Sequence, residues 1–118
     1  MIVFCRRNGL MSTALLSLVL TSSVPAAEVD FVHEVMPILK QYCGKCHTGE
    51  RREGGLAMNT RAQFLSGGEN GKAVISGNAA KSSFMERIQS GNEDVRMPPE
   101  GPRVPPEKIA ILRKWIDA

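Results

Sequence analysis

The hydrophobic positions fall into one long apolar run and several short stripes at helical spacing. The run, Leu10 to Leu20, is interrupted only by small and hydroxyl residues. Further on, Phe31, Val35, Leu39 and Tyr42 recur every three to four residues and predict an amphipathic helix with one buried face. Asp30 stands where a capping side chain belongs, and Glu34 lies near the positive end of the helix. Pro37 interrupts the stripe. Inside a helix it removes a hydrogen bond and crowds the preceding turn, so a kink is expected there, with the helix continuing to about Cys43.

Thr48 to Gly55 is polar and glycine-rich and reads as loop, followed by a short extended piece at Leu56-Ala57-Met58. Asn59 or Thr60 can cap a short helix running to about Leu65, which Gly67-Gly68 would end. Lys72 to Gly77 reads as extended or irregular. A third helix is expected from Ala79 or Ala80 to Gln89, with Phe84, Met85 and Ile88 inward and Gly91 as its stop. Asn92 to Pro105 contains four prolines and should form an ordered, irregular loop. The last helix is predicted over Pro106 to Ile116, with proline suited to its first turn. Its stripe is Ile109, Leu112 and Ile116, widened by Ile111 and Trp115. No internal repeat or second domain is visible.

The apolar run has a different meaning. Arg6 and Arg7 precede it, and Ser22-Ser23-Val24-Pro25-Ala26-Ala27 supplies small residues after it. That is the order of a secretory signal peptide, read here as residues 1–26 with cleavage after Ala26, leaving a single domain over 27–118. The run falls short of the roughly 20 apolar residues that a transmembrane helix needs. Cys5 would leave with the leader. Fifteen basic residues, less Arg6 and Arg7, leave thirteen against twelve acidic ones, so no nucleic-acid footprint is present. Glycine is plentiful and only six residues are aromatic, so so small a domain needs something besides its own side chains to pack around.

Two cysteines remain, in Cys43-Gly44-Lys45-Cys46-His47. This is the C-x-x-C-H pattern of covalent haem c attachment. Two thiols at this separation can add across the two haem vinyl groups, and the next histidine can turn under the ring as proximal iron ligand. An export route agrees with it. A thioredoxin-like pair would need a βαβ framework that the pattern lacks. Structural zinc would need four ligands, and only His33 is spare. A simple disulfide here closes too small a loop to stabilise much.

Candidates for the sixth iron position are Met36, Met58, Met85, Met97 and His33. Met97 is preferred, because Pro98-Pro99 beside it can hold a thioether rigidly without a helix. Met58 could also line the pocket. Met36 and Met85 sit at core spacing, and His33 falls near the start of the first helix. Met/His ligation raises the potential and leaves no open position, which favours electron transfer over oxygen chemistry. Arg61 and Arg96 are candidates to meet haem propionates. Arg51-Arg52-Glu53 reads as solvated loop and Trp115 as core.

Together, Val29-Asp30-Phe31, Val35-x-Pro37-Ile38-Leu39, Cys43-x-x-Cys46-His47, Gly54-Gly55-Leu56, Arg96-Met97-Pro98-Pro99 and Trp115-Ile116-Asp117 resemble the planctomycete-type cytochrome c domain. The resemblance spans nearly all of the chain after the leader. It implies an all-α, class I cytochrome c-like fold of about four helices around one haem, with the first and last helices crossing. It also implies covalent haem c on Cys43 and Cys46, His47 as proximal ligand and Met97 as distal ligand. The function implied is single-electron transfer in the periplasm or cell envelope between redox partner proteins, with peripheral or no membrane association. Two other readings stay open: a haem-based sensor with a labile Met97 bond, and a truncated electron-transfer module of a larger oxidoreductase, since relatives are usually parts of longer proteins. Relatives also tend to place a hydroxyl cap before the last helix, where this chain has Val104-Pro105-Pro106; losing such a cap costs on the order of 1 kcal/mol.

Overall fold

Residues 22–118 are described by a computed structural model. The leader expected over 1–26 therefore lies, apart from its last few residues, outside the described residues. Among the described residues, five α-helices carry the fold: α1 Met36–Tyr42, α2 Gly44–His47, α3 Arg61–Ser66, α4 Ser83–Gln89 and α5 Pro106–Asp117. A π-helical turn, Phe31–Val35, leads into α1, and short 3-10 turns occupy Glu53–Gly55 and Ala79–Lys81. The described residues form no strand; Gly68 and Gly71 make one isolated bridge. The chain is all-α, as the apolar stripes and the resemblance predicted.

The entry to the first helix is built by reciprocal caps. The Asp30 carboxylate accepts from the Val32 and His33 N–H groups at 2.8 and 3.1 Å, and the Glu34 carboxylate accepts from the Asp30 N–H at 2.8 Å. Pro37 does not kink an α-helix here. The turn before it is widened instead: the Met36 N–H donates five residues back, to the Phe31 carbonyl. The wider turn relieves the clash that the Pro37 ring would make with the carbonyl four residues earlier. Val35, Ile38 and Leu39 are buried as a result, and Phe31 and Tyr42 are half-buried.

The expected third helix is two pieces. Ser82 separates them with extended backbone (φ −80°, ψ 119°) and is itself buried. Its hydroxyl accepts from the Ile75 N–H and donates to the Asn78 carbonyl, both at 2.9 Å. These bonds to local backbone replace a helical turn. Thr60 caps α3 by accepting from the Gln63 N–H at 3.1 Å. Pro105 begins α5 with no side-chain cap.

The first and last helical segments meet through Phe31 and Trp115, whose ring centroids lie 5.2 Å apart. Trp115 stacks on Phe64 at 5.8 Å, and Phe64 meets Phe84 edge-on at 4.9 Å. This aromatic row, with Leu112, Ile116, Met85 and Ile88, forms the core. The end of α5 is pinned by two bonds: Gly77 N–H to the Ile116 carbonyl and Ala79 N–H to the Asp117 carboxylate, each 2.7 Å. No helix among the described residues is long and apolar enough to cross a membrane.

Candidate functional site

Leu39 fixes the start of the motif, because its carbonyl accepts the Cys43 N–H at 2.8 Å and closes α1. Cys43 forms a turn in the right-handed region with a widened φ (φ −118°, ψ −18°), and α2 begins with Gly44. The Cys43 carbonyl accepts the N–H groups of Cys46 and His47 at 3.2 and 3.0 Å. One tight turn thus carries both thiols and the imidazole. Both cysteines are free. Burial, and then the charge of Cys46, push the Cys43 thiol up to about 12, so it is held protonated near neutral pH.

The His47 ring is oriented by the backbone that follows. Its Nδ1 lies 3.1 Å from the Leu56 carbonyl oxygen. A carbonyl can only accept, so Nδ1 carries the proton and Nε2 is left with its lone pair, ready to bind a metal. The Met58 N–H reinforces the arrangement by donating to the His47 carbonyl at 2.7 Å. Gly54 and Gly55 bring the chain to this point with φ of +64° and +73°, values natural to glycine.

The three motif side chains face a cleft of about 860 Å³, which Met58, Phe84, Arg87, Ile88 and Met97 also line. That volume falls within the range of roughly 300–1,000 Å³ usual for cofactor and ligand sites. Met97 is half-buried at the cleft wall, and its N–H donates to the Arg87 carbonyl at 3.0 Å, fastening the proline loop to α4. The bond between Met97 and Pro98 is cis. Met58 is buried at the same cleft, whereas Met85 is buried in the core away from it and Met36 does not reach it. His33 is exposed on the first turn, paired with Asp30 at 2.8 Å. No three His, Cys, Asp or Glu side chains cluster as a metal site among the described residues.

The expected propionate cations divide differently. Arg61 does not line the cleft; its guanidinium lies 6.0 Å over the Trp115 ring. Arg96 does not line it either, and its Nε is buried without an acceptor. Arg87 and Lys45 are the cations on the wall. The Leu56 carbonyl and Arg87 are the two features that sequence reasoning missed. Arg87 had a signal, being three residues after inward-facing Phe84.

The planctomycete cytochrome C family matches residues 43–101, half of the chain, from the first motif cysteine through the proline loop. The chain belongs to that family. No curated protein and no solved structure matches it. Membership makes this a c-type cytochrome domain, and the family implies covalent haem c. The cytochrome's own donor set fits such a group: two free thiols, an imidazole whose Nε2 keeps its lone pair because Nδ1 is bonded to Leu56, and a thioether all border one largely apolar space.

Proposed function

We propose that this cytochrome domain carries one haem c and transfers single electrons in the cell envelope. Cys43 and Cys46 would hold the group through thioethers, His47 would bind iron from one side and Met97 from the other. The observation that carries the reading is the convergence of these four side chains on one cleft, with His47 already held in the ligating tautomer. The bound group would supply the Fe(III)/Fe(II) couple. The protein's part is to keep the coordination unchanged between the two states. Leu56 fixes the imidazole, the Arg87 carbonyl fixes the Met97 backbone, and Phe84 and Ile88 give the wall apolar side chains. With His47 and Met97 both holding the iron, no position would be left for a substrate, which favours an electron carrier over an enzyme. The leader-like run Leu10 to Leu20 supports export, where haem c is attached.

The test is expression with a haem c maturation system. The expected product retains haem through denaturing electrophoresis and shows sharp α and β bands when reduced. A soluble, folded product without covalent haem overturns the reading. Carbon monoxide binding to the reduced protein would replace the carrier with a ligand-binding haem domain.

A further inference from the structure

Haem is an apolar plate with two carboxylates on one edge. Seating those carboxylates against a protein wall requires charge-assisted donors, since an ionised group away from bulk water is costly unless it is paired. This question rests on the haem reading above. The charged side chains bordering the cleft are Lys45 on α2, Glu53 on the 3-10 turn, Arg87 on α4 and Glu100 on the proline loop. The two glutamates repel a carboxylate. Lys45 lies between the two cysteines and is exposed. The cysteines would take the vinyl edge of a bound haem, whose propionates are on the opposite edge, so Lys45 would stand beside the wrong edge.

Arg87 remains. It is half-buried, and among the described residues its guanidinium meets one protein acceptor, the Val95 carbonyl at a long 3.4 Å. A guanidinium has five N–H donors in a planar fork that matches a carboxylate. Ser83 lies four residues earlier on α4, on the same helical face, and also borders the cleft. The pair offers a cation and a hydroxyl on successive turns. We infer that Arg87, assisted by Ser83, binds a haem propionate. Arg87 thereby acts twice: its side chain holds the carboxylate edge, and its carbonyl holds the backbone of Met97.

The experiment compares Arg87→Met, Arg87→Lys, Ser83→Ala, Arg96→Met and Arg61→Met in the haem-loaded protein. The readouts are the midpoint potential and the propionate bending band of the resonance Raman spectrum. Arg87→Met should lower the potential, because a positive charge that disfavours Fe(III) is gone, and should shift the propionate band. Arg87→Lys should restore the potential largely while leaving the band shifted, since an ammonium cannot reproduce the fork. Ser83→Ala should shift the band alone, and covers the case in which Arg87→Met does not fold. Arg61→Met, an equal charge loss over Trp115, should leave the band unmoved. An unshifted band in Arg87→Lys and Ser83→Ala overturns the inference, as does a shift confined to Arg96→Met. Absence of covalent haem in the unmodified protein is a separate failure, of the function and not of this assignment.

Discussion

The His47 imidazole is held by the Leu56 carbonyl, 3.1 Å from Nδ1 and nine residues along the chain. Such a bond fixes the tautomer and raises the basicity of the opposite nitrogen. The carbonyl is presented by Gly55, whose φ of +73° is left-handed. A Cβ there would lie 3.0 Å from the Glu69 Cγ and 3.2 Å from the Glu69 nitrogen. Gly55→Ala should therefore lose about 1–2 kcal/mol from the backbone conformation alone. As the Leu56 carbonyl is displaced, the weaker imidazole should raise the midpoint potential. Thermal melts and potentiometry of the same sample check both parts; an unchanged potential would show that Leu56 does not tune the ligand.

Met97→Ala tests the other side of the cleft. The variant should lose the weak far-red band of thioether-ligated ferric haem, acquire carbon monoxide binding when reduced, and fall in potential. Met58→Ala, at the same wall, should keep the far-red band. If instead the band survives Met97→Ala and disappears with Met58→Ala, the distal ligand is Met58.

Phe64 is fully buried between Trp115 and Phe84. Truncation to alanine should cost about 3–5 kcal/mol. For a domain with a typical total of about 5–15 kcal/mol, that is a large share. Chemical denaturation of the haem-loaded protein should show the loss, and Phe64→Leu should recover part of it.

The exposed Asp30–His33 pair predicts a small pH effect. The hydrogen bond from His33 lowers the Asp30 carboxyl below its usual 3.8, and the same bond raises His33 above its usual 6.5. The Asp30 contribution is present above the usual carboxyl value and is lost as pH falls through the lowered one. The His33 contribution is complete below 6.5 and is lost as pH rises through the raised value. The melting-temperature difference between the unmodified protein and His33→Ala should thus be largest at mildly acidic pH. It should shrink on either side and fade with added salt, because both groups are exposed. A difference that does not vary with pH would remove the pair from the stability of the first turn.

Side-chain periodicity reported the helices well, because burial of Val35, Leu39, Phe84, Ile88, Leu112 and Ile116 is what holds them in place. The cap at Thr60 and the motif at Cys43 to His47 were likewise written in residue types. What the sequence concealed is carried by the backbone. Nothing in the identity of Leu56 says that its carbonyl will face an imidazole. Ser82 looked like a residue inside a helix until its hydroxyl found the Ile75 N–H and the Asn78 carbonyl. Arg61 looked like a cation at the rim, but the six-residue helix that carries it turns it onto Trp115, and its facing depends on a rotation that so short a stripe does not define.

The widened turn ahead of Pro37 has a consequence for how insertions and deletions are tolerated. A π turn is an α-helix with one residue too many. The extra residue is taken up within one revolution, so removing an exposed one such as Val32 would restore regular winding with little change of phase on either side. Phe31 would stay near Trp115, and the cost would fall on the Pro37 ring, which would again meet the carbonyl four residues earlier. The surplus residue thus makes room for a proline in mid-helix without turning the start of the domain away from its closing helix.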